Sequence, residues 1–307
     1  MLNISTYENI EKDCSSETFV KSCIFDLYLL PRANLIKWAK ITNQTTQVTV
    51  SYVAQHISSV ILGIPGTGTA AQGSDLADGS EIKTCSKVDQ LGECKDCKEK
   101  ILIFDTKICN HCGSKNIKIK SDSHWIFLIN SKQKLENLLN LNAIYLNLFY
   151  IENNKIKFIM WKILTSDRFI DFFNNYYFKN YLFKINNNKT PSPCNLHPFS
   201  YDFYLMSPIK IFEATIEPDT VSKTMSRTEH TLEDIDTTID INYLNKNNNI
   251  PDKFPISLLR DSEIKDLFKE ELKSLSLTEI EDKYKYLPED KKAQLKLRNK
   301  ILKNYKR

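Results

Sequence analysis

Glycine is the scarcest informative residue, 7 in 307, and five of the seven fall between Gly63 and Gly79. Average usage is roughly 7%. Where a chain so poor in glycine concentrates it, some backbone must turn sharply, take positive φ, or approach a ligand closely. Charge of one sign is also lacking: 42 basic against 38 acidic residues leave a net +4, too little to announce nucleic acid by itself. The excess sits in one place, because Lys291 to Arg307 holds eight basic and no acidic residues, and this basic tail reads as an anionic-partner contact or a solvated helix end. No apolar run approaches the roughly 20 residues of a membrane span, so no membrane partner is expected. Met1 to Thr18 carries Glu8, Glu11, Asp13 and Glu17 without a basic run or apolar core. A secretory signal is therefore not expected, and a cytoplasmic location is. In that compartment the eight cysteines are reduced, and paired cysteines point to metal rather than to disulfides.

The remaining composition, 41% hydrophobic and 26% charged, is that of a globular chain with room for about two domains. Apolar residues recurring every three and four predict helices over Glu17 to Leu30, stopped by Pro31, then Ala33 to Ile41 and Val48 to Leu62. Ser74 to Thr84 reads as a strand, a tight Asp78-Gly79 turn and a second strand. A Lys- and Cys-rich insert follows. Strands are expected over His124 to Asn130, Ala143 to Glu152 and Lys155 to Leu164, the last two joined as a hairpin by Asn153-Asn154. Ser166 to Leu182 reads as an aromatic helix capped by Ser166; its rings suit a core, with base stacking as the alternative. Asn186 to Tyr204 is a polar connector, and Glu213 to Asp240 is acidic and reads as surface loop. Leu258 to Arg307 is helical by pattern, with a Thr278/Glu281 capping box and Pro288 opening the last helix. The expected fold is α/β, a mixed sheet flanked by helices. Its expected parts are 1-62 (helical), 63-92 with 121-185 (core), 93-120 (insert) and 186-307 (mostly helical, with the basic tail).

The sharpest local signal is Gly73-Ser74-Asp75-Leu76-Ala77-Asp78-Gly79-Ser80-Glu81-Ile82-Lys83-Thr84. Glu81 and Lys83, two apart on a strand, share a face. A three-residue Ala77-Asp78-Gly79 loop with Gly79 at positive φ places Asp75 opposite Glu81, roughly 5 Å apart at Cβ. Two carboxylates so placed repel unless a cation lies between them, and hard oxygen ligands suit Mg²⁺. A lysine on the same face stabilises developing negative charge. Together they suit phosphodiester hydrolysis.

Ser74-Asp75 followed by Glu81-Ile82-Lys83 resembles the active-site motif of the PD-(D/E)xK nuclease superfamily, and its surroundings resemble type II restriction endonucleases, the MamI-type group in particular. The resemblance implies a restriction-endonuclease-like mixed sheet. It implies Mg²⁺ held by Asp75, Glu81 and the Ile82 carbonyl, with Asp75, Glu81 and Lys83 catalytic. It also implies sequence-specific cleavage of double-stranded DNA, leaving 5′-phosphate and 3′-hydroxyl ends, a homodimer, and a cognate DNA methyltransferase in the same system. Serine stands where the motif has proline, and the five-residue gap between Asp75 and Glu81 is short. An upstream amide or acid often completes such sites; Gln72 and Gln55 are the candidates. Gly63 to Thr69 lacks the Gly-Lys-Ser/Thr ending of a P-loop, and a role in positioning Asp75 or approaching DNA fits it better.

Cys94-Lys95-Asp96-Cys97 and Cys109-Asn110-His111-Cys112, eleven residues apart, have the spacing of a structural zinc ribbon. Four thiolates close a tetrahedral Zn²⁺ site and leave no position for chemistry. Cys85 is a surplus ligand, while Cys14, Cys23 and Cys194 are read as small buried hydrophobes. The ribbon's lysines suit DNA phosphates, and scaffolding suits it equally. Two other functions stay open: a zinc-ribbon nucleic-acid-binding protein without catalysis, and a repair or structure-specific nuclease.

Overall fold

The computed structural model of the chain describes residues 16–42, 44, 46, 48–68, 74–89, 91–102, 108–118, 123–217 and 238–301. Cys14, Gln72, Gly73, most of the N-terminal acidic stretch, residues 218–237 of the acidic segment and the end of the basic tail lie outside them. The chain divides into two compact units. None of the described helices is long and apolar enough to cross a membrane.

The first unit comprises 1–124, 142–162 and 210–246. It opens with helix α1 (Glu17–Ile24), whose first turn is capped by Ser16 Oγ accepting from the Phe19 N–H. The expected break at Pro31 does not occur. The chain continues through a π turn (Phe25–Leu29) into α2 (Leu30–Thr42), with the Leu30 N–H reaching back to the Phe25 carbonyl. Proline removes one helical hydrogen bond and crowds the carbonyl four residues back, and a widened turn before it relieves that conflict without ending the helix. Helix α3 (Val50–Leu62) ends at Gly63, which adopts φ +63°.

The sheet has five strands in the order β1 (Glu81–Ser86), β6 (Ala143–Glu152), β7 (Lys155–Leu164), β9 (Ile209–Ile216) and β10 (Ile239–Asn247). β1 runs parallel to β6, with Glu81 opposite Ile144 and Ser86 opposite Phe149. The Asn153-Asn154 turn, at φ 51° and 62°, joins β6 to β7 as expected, so the sheet is mixed. One face buries Ile82, Tyr145, Phe149, Phe158, Met160, Phe212 and Ala214 against Val20, Ile24, Tyr28, Ala54 and Ile57 of the helices.

Two expectations are corrected here. The segment 74–77 is no strand: only Leu76 forms a bridge, with Gly66, because the chain there pairs with the glycine-rich loop. Glu213 to Asp240 is not all loop either, since Glu213–Ile216 and Ile239–Asp240 belong to β9 and β10. The boundary expected at 185/186 therefore moves, as residues 210–246 complete the first unit rather than a separate helical region.

Insert strands β2 (Leu91–Cys94), β3 (Lys100–Leu102) and β4 (Ile117–Lys118) form their own sheet in the order β3-β2-β4. The insert is tied at its root, where Ser123 Oγ donates to the Ser86 carbonyl over 2.6 Å.

The second unit comprises 125–141, 163–209 and 247–307. Its β5 (Trp125–Phe127) pairs with β8 (Cys194–Leu196), not with the main sheet, so the strand expected from His124 to Asn130 is shorter and placed elsewhere. The reason is aromatic: Trp125 stacks on Phe203 at 5.6 Å and Phe127 meets Phe173 at 4.8 Å. Ser166 caps the aromatic helix as expected, and Phe169 and Phe173 are buried. The C-terminal helices surround Phe254, Ile264, Phe268 and Ile280. Their capping box is Ser276/Glu279 rather than Thr278/Glu281, since the Ser276 N–H and hydroxyl both reach the Glu279 carboxylate.

Arg32 and Asp89 form a fully buried pair in the first unit, with Nε to Oδ2 at 2.7 Å and Nη2 to Oδ1 at 2.6 Å. Truncating one member strands the other's charge without water. Arg32→Ala is expected to cost about 3–5 kcal/mol in denaturant unfolding. The double variant R32M/D89N should recover much of that loss, because asparagine tolerates the φ of 58° at this position.

Candidate active site

The glycine-rich loop and the residues around Asp75 brace each other. The Thr67 N–H donates to the Asp75 carbonyl (3.1 Å), the Ala77 N–H to the Pro65 carbonyl (2.9 Å), and Thr67 Oγ1 to the Ser74 carbonyl (2.8 Å). The turn that follows has the expected three residues. Leu76 and Ser80 pair through the Leu76 N–H and Ser80 carbonyl (3.1 Å), and Gly79 takes φ +83°. A β-carbon on Gly79 would also come within 3.3 Å of the Asn142 side-chain nitrogen. That side chain donates to the Asp78 carbonyl and so pins the turn beside the start of β6. Asp78 accepts from the N–H and hydroxyl of buried Ser80, which sets the direction in which β1 leaves.

Asp75 is thereby delivered to the outer edge of β1, the end strand of the sheet among the described residues. Its Oδ2 accepts the Ile82 N–H over 2.7 Å and its Oδ1 accepts the Gln55 side-chain amide over 2.7 Å. A strand residue sends its N–H and C=O to the same side, so the Ile82 carbonyl faces this edge as well. Glu81 and Lys83 leave β1 on one face, with Lys83 Nζ 2.6 Å from Glu81 Oε1. Of the two upstream amides considered from sequence, Gln55 reaches Asp75, from helix α3; Gln72 is outside the described residues.

The electrostatics follow from partial burial. Desolvation raises the pKa of Asp75 above its ordinary value, opposed by the Ile82 N–H and the Lys83 charge. Desolvation likewise raises Glu81, opposed by Lys83, while the Asp75 charge pushes it further up. The three side chains therefore sense one another, with two carboxyl groups facing a single ammonium. That donor set, two carboxylates with a carbonyl on their edge, fits a hard divalent cation.

Matching residues 37–243, well over half of the chain, the MamI restriction endonuclease family model covers this entire site. The chain belongs to the MamI restriction endonuclease family. A type II restriction enzyme, MamI from Microbacterium ammoniaphilum, is 43% identical over 63 residues, which are 20% of this chain and 20% of that relative. The chain thus aligns with only a fifth of the relative's length. No solved structure matches.

The insert brings its four predicted cysteines together: the Cys94, Cys97, Cys109 and Cys112 sulfurs all lie within 4.8 Å of one another. The two C-x-x-C turns are built alike. The Lys98 N–H donates to the Cys94 carbonyl (2.9 Å) and the Gly113 N–H to the Cys109 carbonyl (2.8 Å), with Lys98 and Gly113 both in the left-handed region. Backbone N–H groups, that of Cys97 foremost, hold the Cys94 thiol down at about 6. The cluster is compatible with a zinc site. Cys85 and Cys194 are buried, their thiols pushed up by desolvation, and neither joins it.

Because burial raises the Glu81 carboxyl in the folded chain, ionising it costs stability as pH rises beyond its ordinary value of 4.5. In EDTA, the melting temperature of Glu81→Gln minus that of the wild-type chain should therefore increase from about pH 4 to pH 7. A difference independent of pH would contradict this.

Proposed function

We propose that the chain is a type II restriction endonuclease that hydrolyses phosphodiester bonds in double-stranded DNA at a defined sequence, with Mg²⁺. One observation carries the reading: in a member of an endonuclease family, Asp75 is hydrogen-bonded to the backbone of the strand that bears Glu81 and Lys83. By this reading Asp75, Glu81 and the Ile82 carbonyl hold the metal, in the manner of the PD-(D/E)xK nucleases. A bound Mg²⁺ supplies Lewis acidity at a phosphoryl oxygen and acidifies a water.

The chain's own side chains do the rest. Gln55 and the Ile82 N–H fix the Asp75 carboxylate in one orientation, so no reorganisation is needed when substrate arrives. Glu81 holds Lys83 in place through their ion pair, and Lys83 stabilises the extra negative charge of the transition state. Partial burial of both acids strengthens each of these interactions relative to water. A palindromic site presents the same half twice, and a homodimer is proposed to match it, with a cognate DNA methyltransferase protecting host DNA. The four cysteines are proposed to hold Zn²⁺, which would fold an insert whose apolar core, among the described residues, is Ile101 with a half-buried Ile117 beside the cysteines.

Lys83→Ala should lower Mg²⁺-dependent plasmid cleavage by about 10²–10³-fold, with DNA binding retained in a gel-shift assay. Discrete bands from wild-type digestion, abolished by EDTA, are the expected control; a smear or nick-dependent products would favour a repair nuclease, and binding without cleavage a purely nucleic-acid-binding protein. Elemental analysis should find one zinc per wild-type chain and none in C94S/C97S, with the insert becoming the first site of limited proteolysis.

A further inference from the structure

Lys87 follows directly on β1, four residues along from Lys83. Its N–H donates to the Phe149 carbonyl over 2.7 Å, prolonging the pairing of β1 with β6. The alternation that places Glu81 and Lys83 on one face thus carries on through Cys85 to Lys87. The side chains of Cys85 and Lys87 indeed influence each other electrostatically.

The charge at Lys87 is the unusual feature. Most other partly buried cations in the first unit have an acidic partner: Arg32 has Asp89, Lys83 has Glu81, and Lys157 and Lys210 share Glu213, while Lys162 lies over the Tyr145 ring. Lys87 is half-buried, and among the described residues no carboxylate pairs with it. Desolvation lowers its pKa, and Cys85 offers no counter-charge because its own thiol is held protonated by burial. A cation drawn partly out of water with no counterion is a cost of folding that an arriving anion relieves.

We propose that Lys87 binds a DNA backbone phosphate flanking the scissile one, so that β1 grips the substrate at two points, through the Glu81/Lys83 end and through Lys87. The inference rests on the endonuclease reading. Four strand residues span about 13 Å, and DNA rises about 3.4 Å per nucleotide, so the phosphate concerned lies a few nucleotides away. Contact with phosphate carries no sequence information; Lys87 adds affinity and register, not base choice.

The test is the salt dependence of DNA binding in EDTA, where no cleavage occurs, on duplexes with and without the recognition sequence. Lys87→Met should weaken binding to both alike and reduce the slope of log K against log salt by about 0.9, one phosphate contact. Its unfolding midpoint should equal or exceed that of the wild-type chain, since a desolvated charge has been removed. Lys87→Arg should keep the slope. An unchanged slope in K87M, or the same loss in K87R, overturns the proposal while leaving wild-type cleavage and the endonuclease reading intact. A wild-type chain that neither binds nor cuts DNA overturns both.

Discussion

The hydrogen bond from the Ile82 N–H to the Asp75 carboxylate is the contact on which the candidate site depends. Without it, Asp75 would be one more acid on a glycine-rich loop, and Glu81 and Lys83 an ordinary pair on an outer strand. The bond exists because β1 is the end strand of the sheet among the described residues, so one row of its backbone groups is not consumed by a neighbouring strand there. An exposed edge is usually a liability in a sheet. Here it is the place where backbone groups and side-chain carboxylates come together.

Holding those groups has a cost that other parts of the first unit offset. Two carboxylates are partly withdrawn from water beside a single ammonium, and both are harder to ionise as a result. The compensation is packing: the opposite face of β1 and β6 buries Ile82, Tyr145 and Phe149 against the N-terminal helices, with Tyr28 and Phe149 rings 4.4 Å apart. The buried Arg32–Asp89 pair joins α2 to the chain just past β1. Packing on one face of the strand thus supports charge on the other.

The insert solves a different problem. Among the described residues between Cys94 and Lys118, the small buried cluster consists of three of the four cysteines with Ile101 and Ile117. Backbone turns set the sulfurs in place, and Asp96 is held by Ser114 and Asn116 across the two knuckles. The four sulfurs so gathered are compatible with a metal site, the kind of cross-link that supports a small fold.

The pattern of residues fixes much of this directly. The spacing Asp75, Glu81, Lys83, the positive-φ Gly79 turn, the two C-x-x-C pairs and the β6–β7 hairpin are all local, and each requires only neighbouring residues to be right. Strand β10 was hidden because it is an outer strand: apart from Ile239 and the half-buried Ile241 it shows little period-two burial, and polar residues there read as loop. The continuous helix through Pro31, the pairing of Asp75's loop with Gly66 instead of β1, the Gln55 amide on Asp75, and the Arg32–Asp89 bond were decided by tertiary structure alone. Each joins segments that are separated in sequence or depends on a backbone adjustment that packing stabilises, and a local pattern of residue types contains neither.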